Sequence, residues 1–151
     1  MKIITASILE AVPSPSLFLA GGISGCGDWQ GAMIGLPAET RLTLLNPRRD
    51  DFDTTDPSAT REQIEWEYRY LREATAVLFW FPHETPCPIT LFELGGALER
   101  TAPVFVGCHV GYARREDVRV RLGLARPAAR VTDSLSALAA QIREWRGGLS
   151  V

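Results

Sequence analysis

Short apolar runs set between stretches of helical periodicity restrict this chain to one kind of architecture. Ala76-Val77-Leu78-Phe79-Trp80-Phe81 is the most apolar of these runs, and Pro82 ends it. Leu17-Phe18-Leu19-Ala20 stops at Gly21-Gly22, and Pro103 to Cys108 forms a third run. A run without polar alternation reads as a strand covered on both faces, as in a parallel sheet. Leu42 to Leu45 adds a strand ending at Asn46-Pro47, with shorter ones at Lys2 to Thr5 and Ala129 to Val131.

Helical signals fill the gaps. Trp29 to Ala38 reads as a helix weakened by Gly31, Gly35 and Pro37. Thr60 and Gln63 form a T-x-x-Q capping box, and Ile64, Tyr68 and Leu71 follow at core spacing. Pro88 suits a first helical turn, predicting a helix to about Arg100, and Ser134 to Trp145 supplies the last. Gly111 to Leu124 fits either helix or strand. Strand–helix alternation demands right-handed crossovers. The expectation is an α/β, flavodoxin-like or Rossmann-like three-layer sandwich with a mostly parallel five-stranded sheet, one domain over residues 1–151.

Composition removes several function classes. The 151 residues carry a net charge of −2, against the basic face that nucleic-acid polymers require. No apolar run nears the roughly 20 residues that span a bilayer. Pro13 and Pro15 interrupt the stretch where a cleavable signal would run. Cys26, Cys87 and Cys108 are odd in number and lack a C-x-x-C, so reduced thiols in a cytoplasmic protein are expected.

In open parallel sheets ligands bind beyond the carboxyl ends of the strands. That places a site on the loops Gly21 to Trp29, Asn46 to Asp53 and Pro82 to Pro88, the last leading to Glu93. Glu93 interrupts the otherwise apolar Ile89-Thr90-Leu91-Phe92-Glu93-Leu94-Gly95-Gly96-Ala97-Leu98. A helix apolar on nearly every side is buried, and an unpaired ion there is costly or shifts its pKa. Two readings stand: a reactive carboxylate, or a structural one paired with Arg48 or Arg49. Gly95-Gly96 signals close packing against the sheet or a second subunit, since each helical glycine costs about 1 kcal/mol against alanine.

Gln63 and Glu67 lie one turn apart with Trp66 adjoining, either as a polar edge of the pocket or as a solvated face. Gly21-Gly22-Ile23-Ser24-Gly25-Cys26-Gly27 departs from the G-x-G-x-x-G dinucleotide fingerprint. It still permits close backbone approach to a small ligand, with Asp28, Trp29 and Gln30 offering a stacking ring and base-edge hydrogen bonds. For Trp29, core packing is the competing reading. His83, Glu84 and Cys87 match no zinc spacing, so no metal and no organic cofactor is expected.

Taken in order, these motifs resemble a known family. Phe18-Leu19-Ala20-Gly21-Gly22-Ile23, Asp28-Trp29-Gln30, Asn46-Pro47-Arg48-Arg49, Gln63-Ile64-Glu65-Trp66-Glu67, Leu78-Phe79-Trp80-Phe81 and Phe92-Glu93-Leu94-Gly95-Gly96-Ala97-Leu98 are similar to the nucleoside 2-deoxyribosyltransferase-like proteins, in a divergent branch with N-P-R-R and E-L-G motifs. The resemblance implies that Glu93 is the nucleophile and that Glu67 places sugar and nucleophile. It also implies that Gly21, Gly22, Asp28 and Trp29 border the base, and that a neighbouring subunit of a homodimer often completes the site. The studied transferases carry an acidic loop before E-L-G; here Pro82 to Pro88 has Glu84 as its only acid.

The implied chemistry is attack of a carboxylate on the anomeric carbon of a (deoxy)ribonucleoside, with a covalent glycosyl-glutamate. Glu67, Asp28 and His83 are the candidates to protonate the leaving base. The substrate-binding set is Gly21, Gly22, Asp28, Trp29, Asn46, Arg48, Arg49, Gln63, Trp66 and His83. Arg48 and Arg49 suit a 5′-phosphate, which would make the substrate a nucleotide and the reaction a nucleoside 5′-monophosphate hydrolysis. A non-catalytic nucleotide sensor, and an interaction protein whose Gly95-Gly96 helix serves only dimer packing, are the readings outside enzymology.

Overall fold

The computed structural model describes residues 1–36 and 41–149. Strands and helices alternate after an initial strand: β1 (Lys2–Thr5), β2 (Ser16–Gly21), α1 (Trp29–Gly35), β3 (Thr43–Asn46), α2 (Pro57–Glu73), β4 (Ala76–Phe81), α3 (Pro88–Leu98), β5 (Val104–Cys108), α4 (Arg115–Ala125), β6 (Val131–Thr132) and α5 (Leu135–Gly148). The sheet has six strands in the order β1-β3-β2-β4-β5-β6, and every pairing is parallel. Six replaces the expected five because both short end strands join it, β1 on β3 and β6 on β5.

Burial on both faces explains the unbroken apolar runs. Phe18, Ala20, Val77 and Phe79 pack on one side with Trp66 and Tyr70 of α2, Leu94 of α3 and Val118 of α4. The residues between them, Leu17, Leu19, Leu78 and Trp80, pack on the other side with Met33 of α1 and Leu138 of α5. Alternate side chains of one strand therefore serve two cores, as the period of two requires. No helix among the described residues is long and apolar enough to cross a membrane.

Two helices differ from expectation in ways that shape the site. Helix α2 starts at Pro57, where Asp56 caps it by accepting from Ser58 N–H at 2.8 Å. The Thr60–Gln63 capping box is thus interior to the helix. Its core face is Trp66, Tyr70 and Leu71, while Ile64 and Tyr68 are 59% and 61% exposed. Two aromatic rings one turn apart, 4.7 Å between centroids, outweigh the Ile64–Tyr68 stripe. Helix α3 buries Thr90, Leu94 and Ala97, but Phe92 is 82% exposed and Gly95 and Gly96 have open space beside them. Being apolar on most sides did not bury it: the sheet covers one side only, and the glycines do not pack on the sheet. For α1, the expected end at Pro37 and Ala38 lies outside the described residues. The ambiguous stretch resolves as α4.

The chain leaves β2 for β3 on one side and then crosses to β4 on the other. The β2 and β4 loops therefore diverge from adjacent strand ends, the position where such sheets form a crevice.

Candidate active site

A cleft of about 340 Å³ opens at this divergence, with Phe18 and Ala20 of β2 on its floor. Helix α2 contributes Gln63 and Glu67, helix α3 contributes Thr90 and Glu93, and the β3 loop contributes Arg49. Glycine is required where the β2 loop passes. A Cβ on Gly21 would stand 2.5 Å from the Trp80 carbonyl oxygen, and one on Gly22 would stand 2.9 Å from Cys87 Sγ.

Glu93 lines the cleft from α3. No hydrogen bond or ion pair reaches it from a described residue. Removal from water, and then the nearby Glu67 carboxylate, push its pKa up to about 8. Burial also raises Glu67, while a hydrogen bond from Gln63 lowers it. The structural alternative for Glu93 required an arginine partner, and neither candidate supplies one. Arg48 donates to Gln30 Oε1 at 2.9 Å and to the Gly27 carbonyl at 2.9 Å, and lies 3.3 Å from Asp28. Arg49 bonds Asp51 at 3.2 Å and approaches Glu62 at 3.7 Å.

Gln63 has a fixed orientation. Its Nε2 donates to the Pro47 carbonyl at 2.7 Å and to Glu67 Oε1 at 2.8 Å, so both amide protons are used. Thr90 is almost wholly buried, and its hydroxyl has no hydrogen-bond partner among the described residues. The sequence did not single out Thr90. Its signal was available, as a polar residue one turn before Glu93 on an apolar helix.

The structure divides the expected substrate-binding residues into three groups. Gly21, Gly22, Arg49 and Gln63 share the cleft with Glu67 and Glu93. Asp28, Trp29 and His83 line a separate cleft with His109, across the contact that Gly22 makes with Pro82 and Thr85. Asn46, Arg48 and Trp66 line neither. Asn46 Oδ1 accepts from Arg48 N–H, closing the turn after β3. Arg48 fastens the glycine-rich loop. Trp66 is core, its Nε1–H donating to the Ile8 carbonyl at 2.9 Å. Trp29 is also buried, donating through Nε1–H to the Gly22 carbonyl at 2.7 Å beneath that loop.

His83 stacks on His109 at 4.2 Å and lies 3.3 Å from Glu84, the only acid of its loop. Among the described residues no group of three or more His, Cys, Asp or Glu side chains is placed to hold a metal ion. The three cysteines are free thiols.

No curated protein matches the chain. A family model described as "Nucleoside 2-deoxyribosyltransferase like" matches residues 14–112, from the approach to β2 through the loop after β5, and so takes in every cleft residue named above. The chain belongs to the nucleoside 2-deoxyribosyltransferase-like family.

Proposed function

We propose that this protein cleaves or exchanges the N-glycosidic bond of (deoxy)ribonucleosides or their nucleotides through a covalent glycosyl-Glu93 intermediate. One observation carries the reading: Glu93 is a desolvated carboxyl without a cation partner, beside a second acid in a cleft at the crevice of the sheet.

The two carboxyls divide the chemistry. Each is harder to ionise than in water, and the charge on one opposes charge on the other, so the pair favours holding one proton near neutral pH. In the productive arrangement Glu93 is ionised and Glu67 carries the proton. A Glu93 oxygen attacks C1′, the C1′–N bond breaks, and its electron pair leaves with the base. Glu67 gives its proton to that base. Asp28 and His83, the other candidate acids, lie in the separate cleft. An acceptor base, or water, then attacks C1′ and releases the Glu93 carboxylate.

The outward face of α3, with Ile89, Phe92 and the open Gly95-Gly96 stretch, is the surface we assign to a second copy of the chain. Sedimentation of wild type and Phe92→Glu tests it, with a dimer expected to become a monomer.

Incubation with a panel of nucleosides and monophosphates, with and without free bases, tests the chemistry by chromatography. Base exchange marks a transferase, and free base alone marks a hydrolase. Binding without turnover of any substrate rejects catalysis in favour of a sensor.

A further inference from the structure

The glycine-rich loop after β2 and the loop that leads into α3 face each other, and each carries a cysteine. Both sulfurs touch Gly22. Cys26 Sγ lies 3.2 Å from the Gly22 carbonyl oxygen. Cys87 Sγ lies 2.9 Å from where a Gly22 Cβ would stand, and it faces the Gly22 N–H. The span of one residue separates the two contacts, which holds the thiols within about 9 Å of each other. One step along the loops the backbones run closer. A Cβ on Gly25 would stand 3.9 Å from Thr85 Cβ, inside the range of disulfide-bonded cysteine Cβ atoms.

Two further observations set this pair apart from ordinary core thiols. Cys87 is the one non-glycine residue at positive φ among the described residues, at 48°, a backbone that glycine adopts without steric cost. Cys26 is partly exposed between Gly25 and Gly27, and the Arg48 guanidinium lies 3.9 Å from its sulfur. Burial pushes the Cys26 thiol up, and Arg48 opposes that push. Burial pushes the Cys87 thiol up to about 11. Cys26 is therefore the thiol that meets an oxidant, and Cys87 the one that resolves it.

We propose that Cys26 and Cys87 form a reversible disulfide, a redox switch that draws the glycine-rich loop onto the head of α3 and closes the Glu93 cleft. A peroxide supplies the oxidising equivalent. The Cys26 sulfur attacks a peroxide oxygen, the O–O bond breaks, and a sulfenic acid forms; the Cys26 proton leaves with the displaced hydroxide as water. The Cys87 sulfur then attacks the Cys26 sulfur, and the Cys87 proton leaves with the second hydroxide as water. Gly22, Ile23 and Ser24 line the cleft from one loop, and Thr85, Cys87 and Pro88 from the other, so the new bond ties two of its walls. Both thiols are harder to ionise than in water, so the bond forms under peroxide excess and not in ordinary reducing conditions. The bond does not depend on the Glu93 reading; its effect on turnover does.

Peroxide titration of the intact protein, followed by mass spectrometry of its peptides, tests the pair. The expected product is two hydrogens lighter, with Cys26 and Cys87 in one linked pair of peptides. Turnover of the best substrate in the nucleoside and monophosphate panel should fall in proportion to the linked fraction, and dithiothreitol should restore it. Cys26→Ser should keep wild-type turnover and lose the peroxide sensitivity, and Cys26→Ala serves the same purpose if serine disturbs the loop. A link to Cys108, a sulfinic acid without a link, or a linked chain with unchanged turnover overturns the switch. If no member of the panel is turned over, the Glu93 reading falls by itself. Hydrogen exchange in residues 22–28 then reports the closure: slower exchange in the linked chain supports it, and unchanged exchange overturns it.

Discussion

Gln63 donates a 2.8 Å hydrogen bond to Glu67 Oε1, and this bond alone offsets the burial that makes Glu67 harder to ionise. A side chain one turn up α2 thus governs the protonation of the proposed acid. In Gln63→Leu the Glu67 carboxyl should hold its proton to higher pH. The limb of the pH–rate profile where activity falls as Glu67 ionises should therefore move to the alkaline side. Without the hydrogen bond that fixes it, the Glu67 carboxyl should be less well placed for proton transfer, lowering kcat by about tenfold. A profile with both limbs in place would show that Glu67 is not the proton donor.

Glu93→Gln should abolish turnover and leave the fold intact, since the amide is isosteric and no ion pair is lost. Stability gives an independent check. The folded pKa of Glu93, about 8, lies above its ordinary carboxylate value, so the folded state binds the extra proton between those limits. Its contribution is fully present below the unfolded pKa and is lost as pH rises towards 8. Wild type should therefore lose on the order of 4 kcal/mol from acid to pH 8 through this group, before any relaxation. Glu93→Gln should not. Urea titrations at pH 5 and pH 8 measure the difference, and parallel curves for the two proteins would contradict the burial argument.

Arg48 and Arg49 are adjacent in sequence but meet different surroundings. Arg48 joins the β3 loop to α1 and to the glycine-rich loop. Arg48→Met should destabilise by about 2 kcal/mol, because it leaves Gln30, which is fully buried, without its partner. Arg49→Met should change stability less, since its carboxylate partners Asp51 and Glu62 are well exposed, and should act on substrate affinity instead. Thermal melts and KM values for the two variants separate these effects. Matching losses in both would remove the distinction.

The architecture was readable because burial on both faces writes itself as apolar runs, as in Ala76 to Phe81. Glu93 was readable for the converse reason, as a charge in an oily helix. The phase of α2 was not. Ile64, Tyr68 and Leu71 fit the period as well as Trp66, Tyr70 and Leu71, and only the packing of Trp66 on Phe18, 5.8 Å between rings, chooses. The placement of Asp28, Trp29 and His83 was equally hidden. They follow β2 and β4 as the site residues do, but the loops turn to opposite sides of the Gly22–Pro82 contact. Strand ends locate a crevice; they do not say which of its walls a side chain will line.

That contact makes a prediction of its own. The β2 loop meets the β4 loop at Gly22, where an added Cβ would stand 2.9 Å from Cys87 Sγ and 3.0 Å from both Pro82 Cγ and Thr85 Cγ2. All three neighbours belong to the segment that carries the chain into α3. Pro82 and Cys87 are buried and have little freedom to yield. Gly22→Ala should therefore push the head of α3 outward and move Glu93 away from Glu67. Overpacking of this kind costs about 1–3 kcal/mol, and a misplaced nucleophile costs about a hundredfold in rate. The rate should fall by more than unfolding explains, because the displacement acts on the proposed catalytic pair directly. Activity measured well below the melting temperature separates the two losses. A variant that melts lower but turns over at the wild-type rate would mean that the loop contact supports the fold and does not position Glu93.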